Sequence, residues 1–272
     1  MTPPDVYFAH IPKTAGSSLS SFIRTAYEPG ACMPVYEWRD LKHFTPEAIA
    51  KYRCYNGHFG ASFLSLLDRD VSTITFLRDP VERSLSHVKY ATQHHRRHRL
   101  RYLQWTIRMA LARTTVRDEW IKPPLRDVVS DLQTRSLGVD IDLRPLLGTT
   151  DPRDLEFLFH DAQQSTSMDA VLEQAKRRLD TMSVVGIVER FSESLQLVAD
   201  LLGVPMPDRL PRENVSSGHA VDVRHRDSGE FSAEYIGIIE STNRYDQELY
   251  AYANQLLDKQ LAARDLVLTS AQ

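Results

Sequence analysis

Between positions 10 and 18 the chain reads His10-Ile11-Pro12-Lys13-Thr14-Ala15-Gly16-Ser17-Ser18. This is a loop built for an anion. Ala15, Gly16, Ser17 and Ser18 are small enough for main-chain N–H groups to approach a ligand closely, and the helix that follows points its positive end at the same place. Lys13 adds a point charge and Thr14 a hydroxyl donor. The run is not the nucleotide triphosphate loop GxxxxGK[ST]: the first glycine and the Gly-Lys pair are missing, and the lysine precedes the glycine. A second run, Arg78-Asp79-Pro80, is followed two helical turns later by Ser86. An arginine fork and a hydroxyl at that spacing suit a second phosphate. The same residues equally make a capped helix start whose arginine forms a surface ion pair. Taken together, the two runs describe a ligand with two separated phosphate groups.

These residues need elements to hold them. Val6-Tyr7-Phe8-Ala9 has the β-prone character of a short buried strand leading into the first loop. Leu19, Phe22, Ile23 and Ala26 then mark one face of a helix, with Ser17 or Ser18 as its cap and Pro29-Gly30 as its end. A second strand is expected from Arg53 to Asn56, turning at Gly57-His58-Phe59-Gly60. Thr73 to Leu77 forms a third, ending where Asp79 can cap a helix that starts at Pro80 and carries Val81, Leu85 and Val88 on one face. From Tyr102 to Gly138 the pattern is mostly helical, interrupted at Pro123-Pro124. Leu172, Ala175 and Leu179 mark another helix before a strand at Val184 to Val188. Leu195, Val198 and Leu202 continue helically until Gly203 and Pro205, and a loop runs from Pro205 to about Gly229. Tyr245, Leu249, Tyr252 and Leu256 form a last helical stripe. Strands alternating with helices predict an α/β fold, a three-layer parallel sheet with helices on both faces. No linker divides residues 1–272, so one domain is expected.

Composition excludes several classes. With 272 residues, 42% apolar and 25% charged, the chain is neither disordered, collagenous nor a disulfide scaffold. Its net charge of −3 argues against a nucleic-acid partner. No stretch approaches the ~18 apolar residues of a membrane span, and the N-terminus lacks the pattern of a signal peptide. Cys32 and Cys54 are the only cysteines and form no CxxC pair, so a cytoplasmic location with two free thiols is expected. Charge is uneven: Ala91 to Arg126 holds nine Lys/Arg against two acidic residues, densest from His94 to Arg101. This segment is either a solvated helix face or a positive rim that attracts an anionic substrate.

The two anion runs, in this order, resemble those of sulfotransferases. His10 to Leu19 looks like their 5′-phosphosulfate loop, and Phe76-Leu-Arg-Asp-Pro-Val-Glu-Arg-Ser-Leu-Ser86 is similar to their 3′-phosphate motif. Gly57-His58-Phe59-Gly60, Gln133 to Gly138 and Val185 to Phe191 extend the likeness toward the carbohydrate branch, the heparan sulfate and uronyl 2-O-sulfotransferases and their soluble bacterial relatives. The resemblance implies a P-loop-kinase-like sulfotransferase fold and 3′-phosphoadenosine 5′-phosphosulfate (PAPS) as donor, with adenosine 3′,5′-bisphosphate (PAP) as product and no metal. It implies that Lys13, Thr14, Ala15, Gly16, Ser17 and Ser18 hold the 5′ end and that Arg78 and Ser86 hold the 3′-phosphate. The acceptor is then a small molecule or glycan, with a saccharide hydroxyl favoured by the branch. Golgi relatives carry an N-terminal membrane anchor that this sequence does not show, so a substrate other than their luminal polymers is expected.

A hydroxyl acceptor needs a base beside it. His58, in a Gly-flanked turn at a strand end, is the first candidate and matches the base of the 2-O-sulfotransferases. His10 is the second, or else a buried histidine fixing the loop; Glu37 is the third. Lys13 would share in catalysis through the leaving group. Arg135 either touches the acceptor or a phosphate, or forms a structural ion pair. Glu189 either orders the site by hydrogen bonding or caps the next helix, and Asn214 to Gly218 would close over the adenosine. Two other classes compete: a nucleotide-dependent kinase, weakened by the absent GK[ST], and a binder that keeps the pocket without turnover.

Overall fold

β1 (Val6–Ala9) is a run of buried residues that serves two cores at once. Val6 and Phe8 pack into one apolar cluster, Tyr7 and Ala9 into another. Alternation of this kind belongs to a strand covered on both faces. The computed structural model describes residues 2–97, 129–148, 166–208 and 231–270. Within them β1 pairs with β2 (Cys54–Gly57) and β3 (Ser72–Leu77), and β3 pairs with β4 (Val184–Ile187). The pairings are parallel, and the sheet order is β2-β1-β3-β4. The fold is α/β.

Eight α-helices are named in chain order among the described residues. They are α1 (Gly16–Arg24), α2 (Pro46–Ile49), α3 (Pro80–Arg97), α4 (Leu132–Gly138), α5 (Met168–Thr181), α6 (Phe191–Leu202), α7 (Ala233–Ser241) and α8 (Arg244–Ser270). One face of the sheet is buried by Leu19 and Phe22 of α1, Leu179 of α5, Val198 of α6 and Leu257 of α8. The other is closed by α2 and by 3-10 turns, through Leu41, Ile49, Phe63 and Leu146. A fully buried side chain of this size contributes roughly 1.5–3 kcal/mol. Both layers therefore hold the strand ends firmly.

Several boundaries differ from expectation. α1 starts at Gly16 with Ala15 at its N-cap and no side-chain cap, so Ser17 and Ser18 sit inside the first turn. It stops at Arg24, well before Pro29, because the Thr25 N–H and hydroxyl both return to the Phe22 carbonyl, at 3.1 and 2.7 Å. β2 begins and ends one residue late, since Gly57 still pairs with Ala9. Val188 leaves β4 to open a 3-10 turn, Val188–Arg190. α7 was not expected; Ser232 caps it, accepting from the Tyr235 N–H at 3.2 Å. Other expectations hold. The Asp79 carboxylate accepts from the N–H groups of Val81 and Glu82, both at 3.0 Å, and α6 ends at Gly203 with φ 66°. The helical stretch with Pro123-Pro124, Trp105, Trp120, residues 98–101 and Asn214 to Gly218 lie outside the described residues. Among those described, no helix is long and apolar enough to cross a membrane.

Candidate functional site

Sheet order fixes where a ligand belongs. The chain leaves β1 for β2 on one side and later returns to place β3 on the other. The carboxyl ends of β1 and β3 thus flank the point where strand order reverses, the crevice in which open α/β sheets take ligands. Both candidate anion runs open from those two ends.

The β1 loop is held in an unusual shape. Lys13 and Ala15 have φ of 75° and 59°, left-handed values that cost a residue with a Cβ about 1–2 kcal/mol each. The Thr14 hydroxyl donates to the Ile11 carbonyl at 2.9 Å, so it fixes the loop rather than facing a ligand. The first main-chain bond closing α1 runs from Leu19 N–H to Ala15 C=O at 3.2 Å. Among the described residues no acceptor meets the N–H groups of Lys13, Thr14, Ala15 and Gly16. Gly16 owes its type to a neighbour: a Cβ there would lie 1.7 Å from His10 Nε2. Its smallness admits the imidazole, not the ligand that the sequence suggested.

Two cations converge on this loop. Arg78, only 9% exposed, points Nη1 at the Lys13 carbonyl at 3.4 Å. Lys13 Nζ lies 3.4 Å from the centre of the Tyr90 ring. Burial, and then the Arg78 charge, push the Lys13 ammonium down to about 8. No carboxylate pairs with Lys13 among the described residues. Ser86 stands one helical turn before Tyr90, so the α3 face that covers Lys13 carries Ser86 too.

The main chain at Arg78 is gripped from outside. Its N–H donates to Gln133 Oε1 at 2.9 Å, and its carbonyl accepts from Gln133 Nε2 at 3.0 Å. Gln133 is held in turn by the fully buried Asp246 of α8, whose carboxylate accepts from the N–H groups of Gln133 and Thr134 at 3.1 and 2.7 Å. Glu189 accepts from the Asp79 N–H at 3.1 Å and the Tyr250 hydroxyl at 3.0 Å. It orders the turn instead of capping α6, whose N-cap is Arg190. Arg135 places Nε and Nη2 on the Ser130 carbonyl at 3.1 and 2.6 Å, and its charge acts on Asp131.

A histidine pair closes the third side. His58, just beyond β2, puts Nδ1 3.0 Å from Glu37 Oε1, and its main-chain N–H donates to Tyr36 O at 2.7 Å. Its Nε2 is buried without a protein partner among the described residues. The His10 ring lies 4.5 Å from the His58 ring. Burial, then the His58 and Lys13 charges, hold His10 well below the usual imidazole range, so it is a neutral wedge between Gly16 and His58. Gly60, with φ 65°, turns the chain against Ser136 O, where a Cβ would come within 2.8 Å. His87 joins the same region, pushed down to about 3 by burial and by Arg83, Lys13 and His58.

The site therefore gathers Lys13, Arg78, His10 and His58, with Ser86 on the adjoining helix face. Glu37 enters as the hydrogen-bond partner of His58. Asp246, His87 and Tyr90 carried no local signal as site residues, and Gln133 only its place in the run Gln133 to Gly138. Among the described residues no three His, Cys, Asp or Glu side chains cluster as metal ligands. Compared with known proteins, the chain matches no family model and no curated protein.

Proposed function

We propose that the chain is a sulfotransferase, of the P-loop-kinase-like sulfotransferase fold, that moves the sulfuryl group of PAPS to an acceptor hydroxyl, favouring a saccharide, in the cytoplasm. One observation carries this reading: two like charges, Lys13 and Arg78, meet at the switch point beside unpartnered main-chain N–H groups and a histidine with a buried, unpartnered Nε2. A cation depressed by a neighbouring cation favours an anion between them. The donor set fits the two phosphate ends of PAPS, with Lys13 and the amides at α1 on the 5′ side and Arg78 with Ser86 on the 3′ side. When bound, the donor supplies the sulfuryl group and a bisphosphate leaving group.

The residues divide the work. Glu37 accepts a hydrogen bond from His58 Nδ1, which leaves the lone pair on Nε2. In this reading His58 Nε2 takes the acceptor's hydroxyl proton. Lys13 holds charge where the leaving group forms. His10 packs the loop and excludes water. The test is direct: incubation with PAPS and a panel of saccharide, phenolic and lipid acceptors, read by mass spectrometry for sulfo addition and by PAP release. A sulfated saccharide supports the proposal. Failure to bind PAP in calorimetry, or magnesium-dependent turnover of ATP instead, overturns it.

A further inference from the structure

Cys32 and Cys54 meet on the far side of β2 from this crevice. Cys54 N–H donates to Ala31 C=O at 3.2 Å, and Met33 N–H donates to Cys54 C=O at 2.8 Å. Cys54 thus bonds to both neighbours of Cys32, which makes the two cysteines direct partners in a parallel bridge. Adjacent strands run about 4.8 Å apart, with opposed side chains on one face. That spacing falls within the ~4.4–6.8 Å between Cα atoms that a disulfide spans. Both side chains join the cluster under α1, Cys54 buried and Cys32 half-buried. A hydrogen bond from the Cys54 thiol, with the Arg24 charge adding to it, lowers the Cys32 thiol to about 7, while Cys54 is held in its protonated form.

We propose that Cys32 and Cys54 form a reversible dithiol–disulfide pair that reacts with a hydroperoxide. With hydrogen peroxide, the Cys32 thiolate attacks one peroxide oxygen, the O–O bond breaks, and with one proton the leaving oxygen departs as water, giving a sulfenic acid on Cys32. Cys54 sulfur then attacks the Cys32 sulfur; the S–O bond breaks, the Cys54 proton goes to the departing hydroxide, and a second water forms. The two thiols lose two electrons and two protons in all, and a dithiol reductant reverses the step. The new bond would tie β2 to the segment that leads through Tyr36 to Glu37, so it adjoins the partner of His58 without touching the crevice.

Hydrogen peroxide added to the intact protein, with no substrate present, tests the pair. The expected result is loss of two hydrogen masses, a non-reduced peptide map linking Cys32 to Cys54, and full recovery with dithiothreitol. Cys54→Ser should stop at a Cys32 sulfenic acid captured by dimedone, and Cys32→Ser should give no dimedone adduct. Cross-linking between chains, over-oxidation of Cys32 without the internal link, or two unreacted thiols in excess peroxide would each overturn the proposal. Because the readout is covalent, its failure leaves the sulfotransferase reading untouched.

Discussion

The two strand ends that flank the crevice solve the same problem in opposite ways. After β3 the protein satisfies its own main chain: Asp79 caps α3, Gln133 holds both polar groups of Arg78, and Glu189 holds the Asp79 N–H. The Arg78 side chain, with Nη1 on the Lys13 carbonyl, reaches across to the β1 loop. After β1 the reverse holds. The loop has no side-chain cap, two residues sit in the left-handed region, and consecutive N–H groups lack a protein acceptor among the described residues. One end is a finished structural element that lends a side chain. The other is an unfinished one that a bound anion would complete, and strain of this sort collects at functional sites.

The largest expected effect lies at the third strand end. His58→Ala should lower turnover roughly 10²–10⁴-fold if Nε2 is the general base. PAP affinity should stay near wild type, because neither anion loop is touched. Turnover that persists would move the base to His10 or Glu37; parallel loss of PAP affinity would make His58 a loop support.

Affinity should then separate the two strand ends. Lys13→Ala and Arg78→Ala should each weaken PAP binding by roughly 2–5 kcal/mol, the cost of leaving a buried charge unpaired. The pH dependence distinguishes them. In the free protein Lys13 titrates near 8, and a bound phosphate raises that value. Below it Lys13 is already charged and affinity is flat; above it binding must take up a proton, and affinity falls about tenfold per pH unit. Because the Arg78 charge depresses Lys13, Arg78→Ala should move the break to higher pH, and Lys13→Ala should abolish it. An unmoved break in Arg78→Ala would separate the two cations and dissolve the shared site.

Much of this contrast was legible in local spacing, and the reason is physical. A strand entering a loop, a Pro after an Asp, and a Gly after an apolar stripe are features of adjacent residues. β1, the end of β3, the start of α3 and the end of α6 accordingly stand where the residues place them. What spacing cannot reach is the support. Glu37 lies 21 residues from His58, Gln133 is 55 from Arg78, and Asp246 is 113 from Gln133. Those contacts exist only once the sheet has set the distances. Arg83 shows the same limit. On a helix full of polar residues it looks solvated, yet it is fully buried, donating to Ser84 Oγ at 2.9 Å and Val129 O at 3.1 Å.

A stability measurement sharpens the comparison further. Gln133→Leu strands a buried N–H and a buried carbonyl at Arg78, each costing about 1–3 kcal/mol. Asp79→Ala removes a cap worth about 1 kcal/mol. Both variants should lower Tm equally with and without PAP, because their partners belong to the protein. Lys13→Ala should leave the Tm of the unliganded protein unchanged or higher, and lose most of the rise that PAP confers. A large drop in unliganded Tm for Lys13→Ala would mean the β1 loop is as self-sufficient as the β3 turn.

The smallest effect is also the most specific to the β1 loop. Ala15→Gly relieves a left-handed residue, a gain of about 1–2 kcal/mol. Against it stand the freer unfolded chain, about 0.4–1 kcal/mol, and the methyl that Ala15 packs on the core, at most about 0.8 kcal/mol. These terms nearly cancel, so Tm should stay within a few degrees of wild type. The neighbouring exchange, Gly16→Ala, should behave quite differently. Its methyl would lie 1.7 Å from His10 Nε2, so the imidazole must leave its place against His58 or α1 must shift. Overpacking of that kind typically costs about 1–3 kcal/mol. Adjacent residues of nearly equal size should thus differ by several degrees in Tm, with the addition of one methyl far more damaging than its removal next door. If Ala15→Gly is the more destabilising of the two, the left-handed turn carries no strain, and the β1 loop is not held open for a ligand.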